Sequence, residues 1–239
     1  MDISSGGMAA VAALVGDTAR ARMLDALADG RTLAAGELAY TARIGAPTAS
    51  AHLARLVDGG LLRVIQQGRH RYYRLASSRV GEMLEHIMRV AAVDGPPRYR
   101  PRGSGDEAFR LARCCYDHLA GRLGVALADS LVSGDYLVLE DDAGAVTPKG
   151  TAFLSDFGID LTHHGRRLFC RPCIDLTERR PHLAGALGAK LARRCFELGW
   201  IERVRDGRSV KITTGGGIGL RQTFGIDVSA LDRPDRIAA

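Results

Sequence analysis

Residues 45–75 read GAPTASAHLARLVDGGLLRVIQQGRHRYYRL, and this stretch decides the fold of the N-terminal third. Pro47 is a good first helical residue, and Gly59-Gly60 end the helix it starts. Leu53, Leu56 and Val57 share one face of that helix, while Thr48, Ser50 and His52 supply a short-chained polar face. Such a helix can lie against a core and still approach a DNA groove. Two strands, 61–66 and 70–75, flank a Gln67-Gly68 hairpin turn, and the hairpin supplies Arg63, Arg69, Arg71 and Arg74. No acidic residue occurs from Leu61 to Gly81, so the hairpin offers positive charge with no internal neutralisation. Helix, turn, second helix and basic hairpin together read as a winged helix-turn-helix.

Outward from this stretch, residues 8–30 read as two helices broken at Gly16-Asp17, with Asp17 as a cap and Gly30 as a terminator. Residues 33–43 read as a further helix, with Leu33 inside it. A helix from Ser77-Ser78 to about Ala92 carries Val80, Met83, Leu84, Ile87, Met88 and Ala91 on one stripe, either core or a dimer face. Residues 94–105, rich in Pro, Gly and Arg, read as a linker. The expected division is a DNA-binding and dimerisation domain over 1–93 and a separate domain over 106–239.

Several linked motifs of the first part resemble the ArsR/SmtB family of bacterial repressors: Gly-Asp-x-x-Arg-x-x-x-Leu (16–24), Glu-Leu-Ala (37–39), Ser-x-His-Leu-x-x-Leu (50–56), Gly-Leu-Leu (60–62) and Gly-Arg-x-x-Tyr-Tyr-x-Leu (68–75). The resemblance covers about residues 8–92. It implies a homodimer on an operator of double-stranded DNA, with Thr48, Ser50, His52 and Arg55 facing the major groove and Gln67, Arg69 and Arg71 touching backbone or minor groove. The family's metal sites are not carried over. The segment 37–43 has no cysteine, and Glu82, Glu85 and His86 read as a solvated helix face.

The second part contains an internal repeat. Residues 113–128 (RCCYDHLAGRLGVALA) align with 171–192 once the six residues LTERRP are set aside, pairing Cys115, Asp117 and His118 with Cys173, Asp175 and His182. The copies extend over 113–160 and 171–227, each ending in Phe-Gly-Ile-Asp, and read as two tandem helix–hairpin–helix units. The expected class is thus α+β and mostly helical. Thiolate and imidazole at Cys115, His118, Cys170, Cys173 and His182 suit zinc, copper or another thiophilic ion, or an oxidant. Cys170-x-x-Cys173 with His163-His164 before it and His182 after it is one such set. The competing readings are an organic effector pocket and plain structure. In the latter, Asp117 caps a helix starting at His118, Pro181 sits in a first turn, and Cys195 is a small hydrophobe in a leucine stripe. Glu178-Arg179-Arg180 could hold an anion or be a solvated loop.

Composition narrows the function classes. Hydrophobic content of 46% and charged content of 25% suit a soluble domain protein, and the net charge of +6 favours an anionic partner. No run is long enough to span a bilayer and no signal peptide is evident, so cytoplasmic residence and no membrane partner are expected. Gly215-Gly216-Gly217-x-Gly219 lacks the Lys-Ser/Thr of a phosphate loop, and no nucleophile elbow is present, so no enzyme is expected. The function that follows is a dimeric repressor released by a metal, oxidant or small molecule sensed in residues 106–239. A C-terminal half that only dimerises or recruits a partner is the alternative, and a fused enzyme domain the remote one.

Overall fold

The computed structural model describes residues 5–68, 70–93, 104–140, 143–162, 168–204 and 208–232. Two compact units divide the chain, Met1–Asp94 and Gly95–Ala239.

The first unit begins with α1 (Ser5–Val15) and α2 (Thr18–Ala26). The break between them is held by Asp17, whose Oδ1 accepts from the Arg20 amide at 2.9 Å. That bond satisfies an amide of the first helical turn and holds the Asp17 carboxyl below its usual range. Strand β1 (Leu33–Ala34) precedes α3 (Ala35–Ala42). Leu33 therefore stands in the sheet, opposite Tyr73, and not in the helix expected over 33–43. The helix α4 (Ala46–Asp58) follows, then β2 (Leu62–Gln67), β3 (His70–Leu75) and α5 (Ser78–Val93). Strands β2 and β3 pair antiparallel from Leu62↔Leu75 to Gln67↔His70, with β1 on the far edge of β3. Gly68, at φ 59°, makes the tight reversal between them. Leu24, Leu27, Leu38, Leu53, Leu56 and Leu75, together with Met23, are almost wholly removed from water. Burying each side chain contributes about 1.5–3 kcal/mol, which fixes the rotation of α4 about its axis.

The second unit runs α6 (Ser104–Leu111), β4 (Arg113–Cys115), β5 (His118–Ala120), α7 (Gly121–Ser133), β6 (Leu137–Leu139), β7 (Gly144–Val146) and α8 (Pro148–Asp156). It continues with β8 (Arg171–Ile174), β9 (Pro181–Ala184), α9 (Gly185–Glu197), β10 (Ile201–Arg203), β11 (Val210–Ile212), α10 (Thr214–Phe224) and α11 (Val228–Leu231). Each half therefore reads hairpin, helix, hairpin, helix. The expected helix–hairpin–helix order recurs as α7, β6–β7, α8 and α9, β10–β11, α10 with a further hairpin before each, and the first helix starts at Gly121 and not at His118. Asp117 accordingly caps no helix.

The halves grip one another reciprocally. Helix α7 packs on β9, and α9 packs on β5. The Gly144 amide donates to the Cys170 carbonyl, and the Val210 amide donates to the Ala112 carbonyl, each at 3.0 Å. Thr147 Oγ1 caps α8 by accepting from the Gly150 amide, and Thr213 Oγ1 caps α10 by accepting from the Gly216 amide, both at 2.9 Å. The Gly-rich run 215–219 owes its composition to packing: a Cβ on Gly216 would lie 2.0 Å from the Trp200 carbonyl, and one on Gly219 would lie 2.2 Å from the Trp200 ring.

Candidate DNA interface and Cys/His cluster

Thr48, Ser50 and Arg55 are exposed on α4, and Gln67 and Arg71 are exposed on the hairpin. Arg69 lies outside the described residues. Arg63 and Arg74 are cross-strand partners, so the guanidinium groups of β2 and β3 crowd one small sheet. The Arg71 guanidinium lies over the Tyr73 ring at 6.0 Å.

His52 departs from the groove-facing expectation. It is half-buried, and its Nδ1 accepts from the Arg20 guanidinium at 3.2 Å. Arg20 also donates to the carbonyls of Leu14 (2.7 Å) and Ala13 (2.7 Å) at the end of α1. One guanidinium thus closes the C-terminus of α1 and holds α4 by His52, whose Nε2 stands 3.9 Å from Asp17 Oδ1. The spacing of α4 placed His52 beside Ser50, but a long-range partner turned it inward. Glu85, expected on a solvated face, is buried at 5% exposure. Further along the same helix Ile87 and Val90 are exposed, and Met8 of α1 is exposed as well.

In the second unit four of the five predicted sensing residues converge. The ligand-capable atoms of Cys115, His118, Cys173 and His182 all lie within 4.8 Å of one another, and all four residues are buried. Strand register explains the set. Cys115 faces His118 across the first hairpin, with Tyr116 at φ 59° in its two-residue turn, and Cys173 faces His182 across the second. The imidazoles of the two hairpins stack with centroids 5.1 Å apart. Each histidine is backed by a glycine of the opposite half: a Cβ on Gly188 would come 3.2 Å from His118 Cβ, and one on Gly124 3.6 Å from His182 Cβ.

Carboxylates stand behind both imidazoles. His118 Nδ1 is 3.4 Å from Asp117 Oδ1, and His182 Nδ1 is 3.7 Å from Asp175 Oδ2. In both rings Nδ1 is the nitrogen on the carboxylate side. The Cys115 side chain and the two imidazoles hold the Cys173 thiol far below its ordinary range, against the opposing effect of burial. Burial and the His118 ring lower His182, opposed by Cys173 and Asp175, so the ring is held neutral. Thiolate beside neutral imidazole is the protonation state that metal coordination requires.

Asp175 is the strut of this unit. Its Oδ2 accepts from Arg113 (2.8 Å) and the Gly121 amide (2.7 Å), and its Oδ1 from the Thr177 amide (2.8 Å), Thr177 Oγ1 (2.9 Å) and the Glu178 amide (3.0 Å). Burial alone would raise its carboxyl, but Arg113 and these donors hold it well below the carboxylate range. Arg180 of the inserted segment is spent on Asp129, at 2.9 Å to both oxygens, which favours the loop reading over an anion site.

Cys170 is a correction. It lies in the apolar core beside Gly144, outside the cluster, and burial pushes its thiol up to about 11. His163 and His164 lie outside the described residues, so the expected Cys170-x-x-Cys173 set gives way to one drawn from both hairpins. Cys195 is likewise a core residue, pushed up to about 12 by burial. In the folded protein, brief iodoacetamide treatment at mildly alkaline pH is expected to leave Cys170 and Cys195 unmodified, as read by peptide mass mapping. Labelling of either as fast as in the unfolded chain would contradict their placement.

A winged helix with an exposed polar helix face and a basic hairpin, joined to a second compact unit, defines a regulator that binds DNA. Residues 15–65 match the model of a helix-turn-helix domain family. Over 223 residues the chain is 39% identical to the HTH-type transcriptional regulator YdfF of Bacillus subtilis (strain 168), covering 92% of this chain and 98% of that protein. The chain belongs to the HTH-type transcriptional regulators. Among solved structures it is similar to HlyU from Vibrio cholerae N16961 (26% identity, 38% of this chain and 97% of that one, TM-score 0.34). It is also similar to a fragment (1–100) of a possible transcriptional regulatory protein from Mycobacterium bovis (30% identity, 36% and 91%, TM-score 0.34). No helix among the described residues is long and apolar enough to cross a membrane.

Proposed function

We propose that the chain is a dimeric, sequence-specific repressor that releases its operator in response to an effector sensed in the second unit. The observation that carries the DNA contacts is the exposed face of α4 beside a hairpin whose described charges are all basic. In this reading α4 enters the major groove, Thr48, Ser50 and Arg55 approach base edges, and Gln67 and Arg71, with Arg69, meet the backbone or minor groove. His52 positions the helix from behind through Arg20.

Salt titration of DNA affinity separates these roles. Arg71→Ala is expected to weaken operator and random DNA alike and to lower the salt slope by about one counterion. Ser50→Ala is expected to lose about 1–3 kcal/mol on the operator and little on random DNA. An unchanged salt slope for Arg71→Ala, or equal losses on both DNAs for Ser50→Ala, would overturn the assignment.

Release requires that the effector bind the DNA-incompetent geometry better than the competent one. The Cys/His cluster is the place in the second unit where chemistry and symmetry coincide. A second reading, in which this unit is purely structural, is favoured by how closed the cluster is: Cys115 is 8%, Cys173 3%, His118 1% and His182 0% exposed. Operator binding measured with zinc, copper(I), peroxide and a thiol alkylating agent distinguishes them. Release by any one supports sensing, and release by none supports the structural reading.

A further inference from the structure

We propose that Cys115, His118, Cys173 and His182 together hold one resident zinc ion that bridges the two halves of the second unit. The proposal names the chemistry of the cluster just described, and metal occupancy is measured independently of whether the protein binds an operator.

Four observations carry it. The first is the donor set, two sulfurs and two imidazoles, which is a tetrahedral zinc set. The second is fit. With Zn–S near 2.3 Å and Zn–N near 2.0–2.1 Å, ligand atoms of a tetrahedral site stand about 3.3–3.8 Å apart. The four groups already lie within 4.8 Å of one another, so side-chain rotations of an ångström close the shell. The third is His182. It is fully buried, its Nε2 meets no oxygen or nitrogen partner among the described residues and neighbours only the Cys173 sulfur, and its Nδ1 faces Asp175 beyond hydrogen-bond range. A buried polar nitrogen in that state is costly unless an ion or donor satisfies it. The fourth is the carboxylate behind each imidazole, Asp117 and Asp175, the arrangement that orients a metal-bound histidine.

Charge balance selects the ion. Arg113 and Asp175 neutralise each other beside the cluster and Asp117 is part-exposed to water, so the buried charge of a coordinated set, two thiolates and two neutral rings, is that of the sulfurs. A divalent ion makes that buried set neutral, whereas a monovalent copper leaves a net negative charge out of water. Coordination takes both cysteines as thiolates, any proton still on a sulfur passing to solvent, and changes no oxidation state. Closure of the site points to an ion acquired on folding, not one exchanged through an open coordination position.

The test uses the full-length protein purified under reducing conditions without added metal. Elemental analysis is expected to find one zinc per chain. Replacement by cobalt(II) is expected to give the intense visible bands of a tetrahedral, thiolate-bound ion. Stripping with a strong chelator is expected to lower the melting temperature, and zinc to restore it. Cys115→Ala, Cys173→Ala and His182→Ala are expected to lose the ion, while Cys170→Ala and Cys195→Ala keep it. Wild-type protein with no zinc and no tetrahedral cobalt spectrum would overturn the proposal without recourse to variants. So would isolation of the chain with Cys115 and Cys173 joined as a disulfide under the same conditions, or full zinc retention by a Cys115→Ala/Cys173→Ala chain. Operator affinity measured on the same samples judges the regulator reading separately.

Discussion

Asp175→Ala is expected to cost the second unit about 3–5 kcal/mol, because it strands a buried guanidinium. Arg113 is 1% exposed, and its strongest partner is the Asp175 carboxylate at 2.8 Å. The same change removes the acceptor of the Gly121 amide at the start of α7 and of the Thr177 and Glu178 amides in the inserted turn. Urea denaturation followed by a signal from Trp200 measures the loss, since that residue belongs to the same core. The double change Arg113→Met/Asp175→Leu is expected to recover part of it, because apolar side chains leave no buried charge to compensate. A loss below about 1 kcal/mol for Asp175→Ala would mean that water reaches the pair.

On the proposed reading of a dimer that pairs through α5, Ile87→Asp is expected to dissociate the pair and, with it, to lose most operator affinity. Ile87 and Val90 are exposed apolar side chains on α5, and Met8 is another on α1. In a twofold interface each substitution acts twice. Loss of about 1.5–3 kcal/mol per buried side chain becomes about 3–6 kcal/mol per dimer. That is about a hundred- to ten-thousand-fold in the dimer dissociation constant. Sedimentation at micromolar concentration reads the assembly, and a DNA titration reads the consequence. Because one half-site then binds alone, operator affinity is expected to approach that for random DNA. A variant that remains dimeric would place the dimer contact elsewhere.

The DNA-binding half was legible because its signals are local. The apolar spacing of α4, the cap at Asp17 and the turn at Gly68 each act within a few residues, and each element stands close to where its pattern put it. The exceptions have long-range causes. Leu33 pairs with a strand far along the chain, and His52 is drawn inward by Arg20.

In the second half, likeness between two stretches of sequence marked Cys115, His118, Cys173 and His182 as equivalents, but not their convergence. Period-two alternation in β4 sends Cys114 to the core and Cys115 to the cluster. Cys170 precedes β8 and packs into the core, although its spacing from Cys173 reads as a chelate. Sequence by itself determined the helices, the basic hairpin and the residues that recur. Only the tertiary structure decided which of them meet, because reciprocal packing of α7 on β9 and α9 on β5 joins hairpins distant in the chain. Local preference cannot encode that contact; burial of both apolar faces at once does.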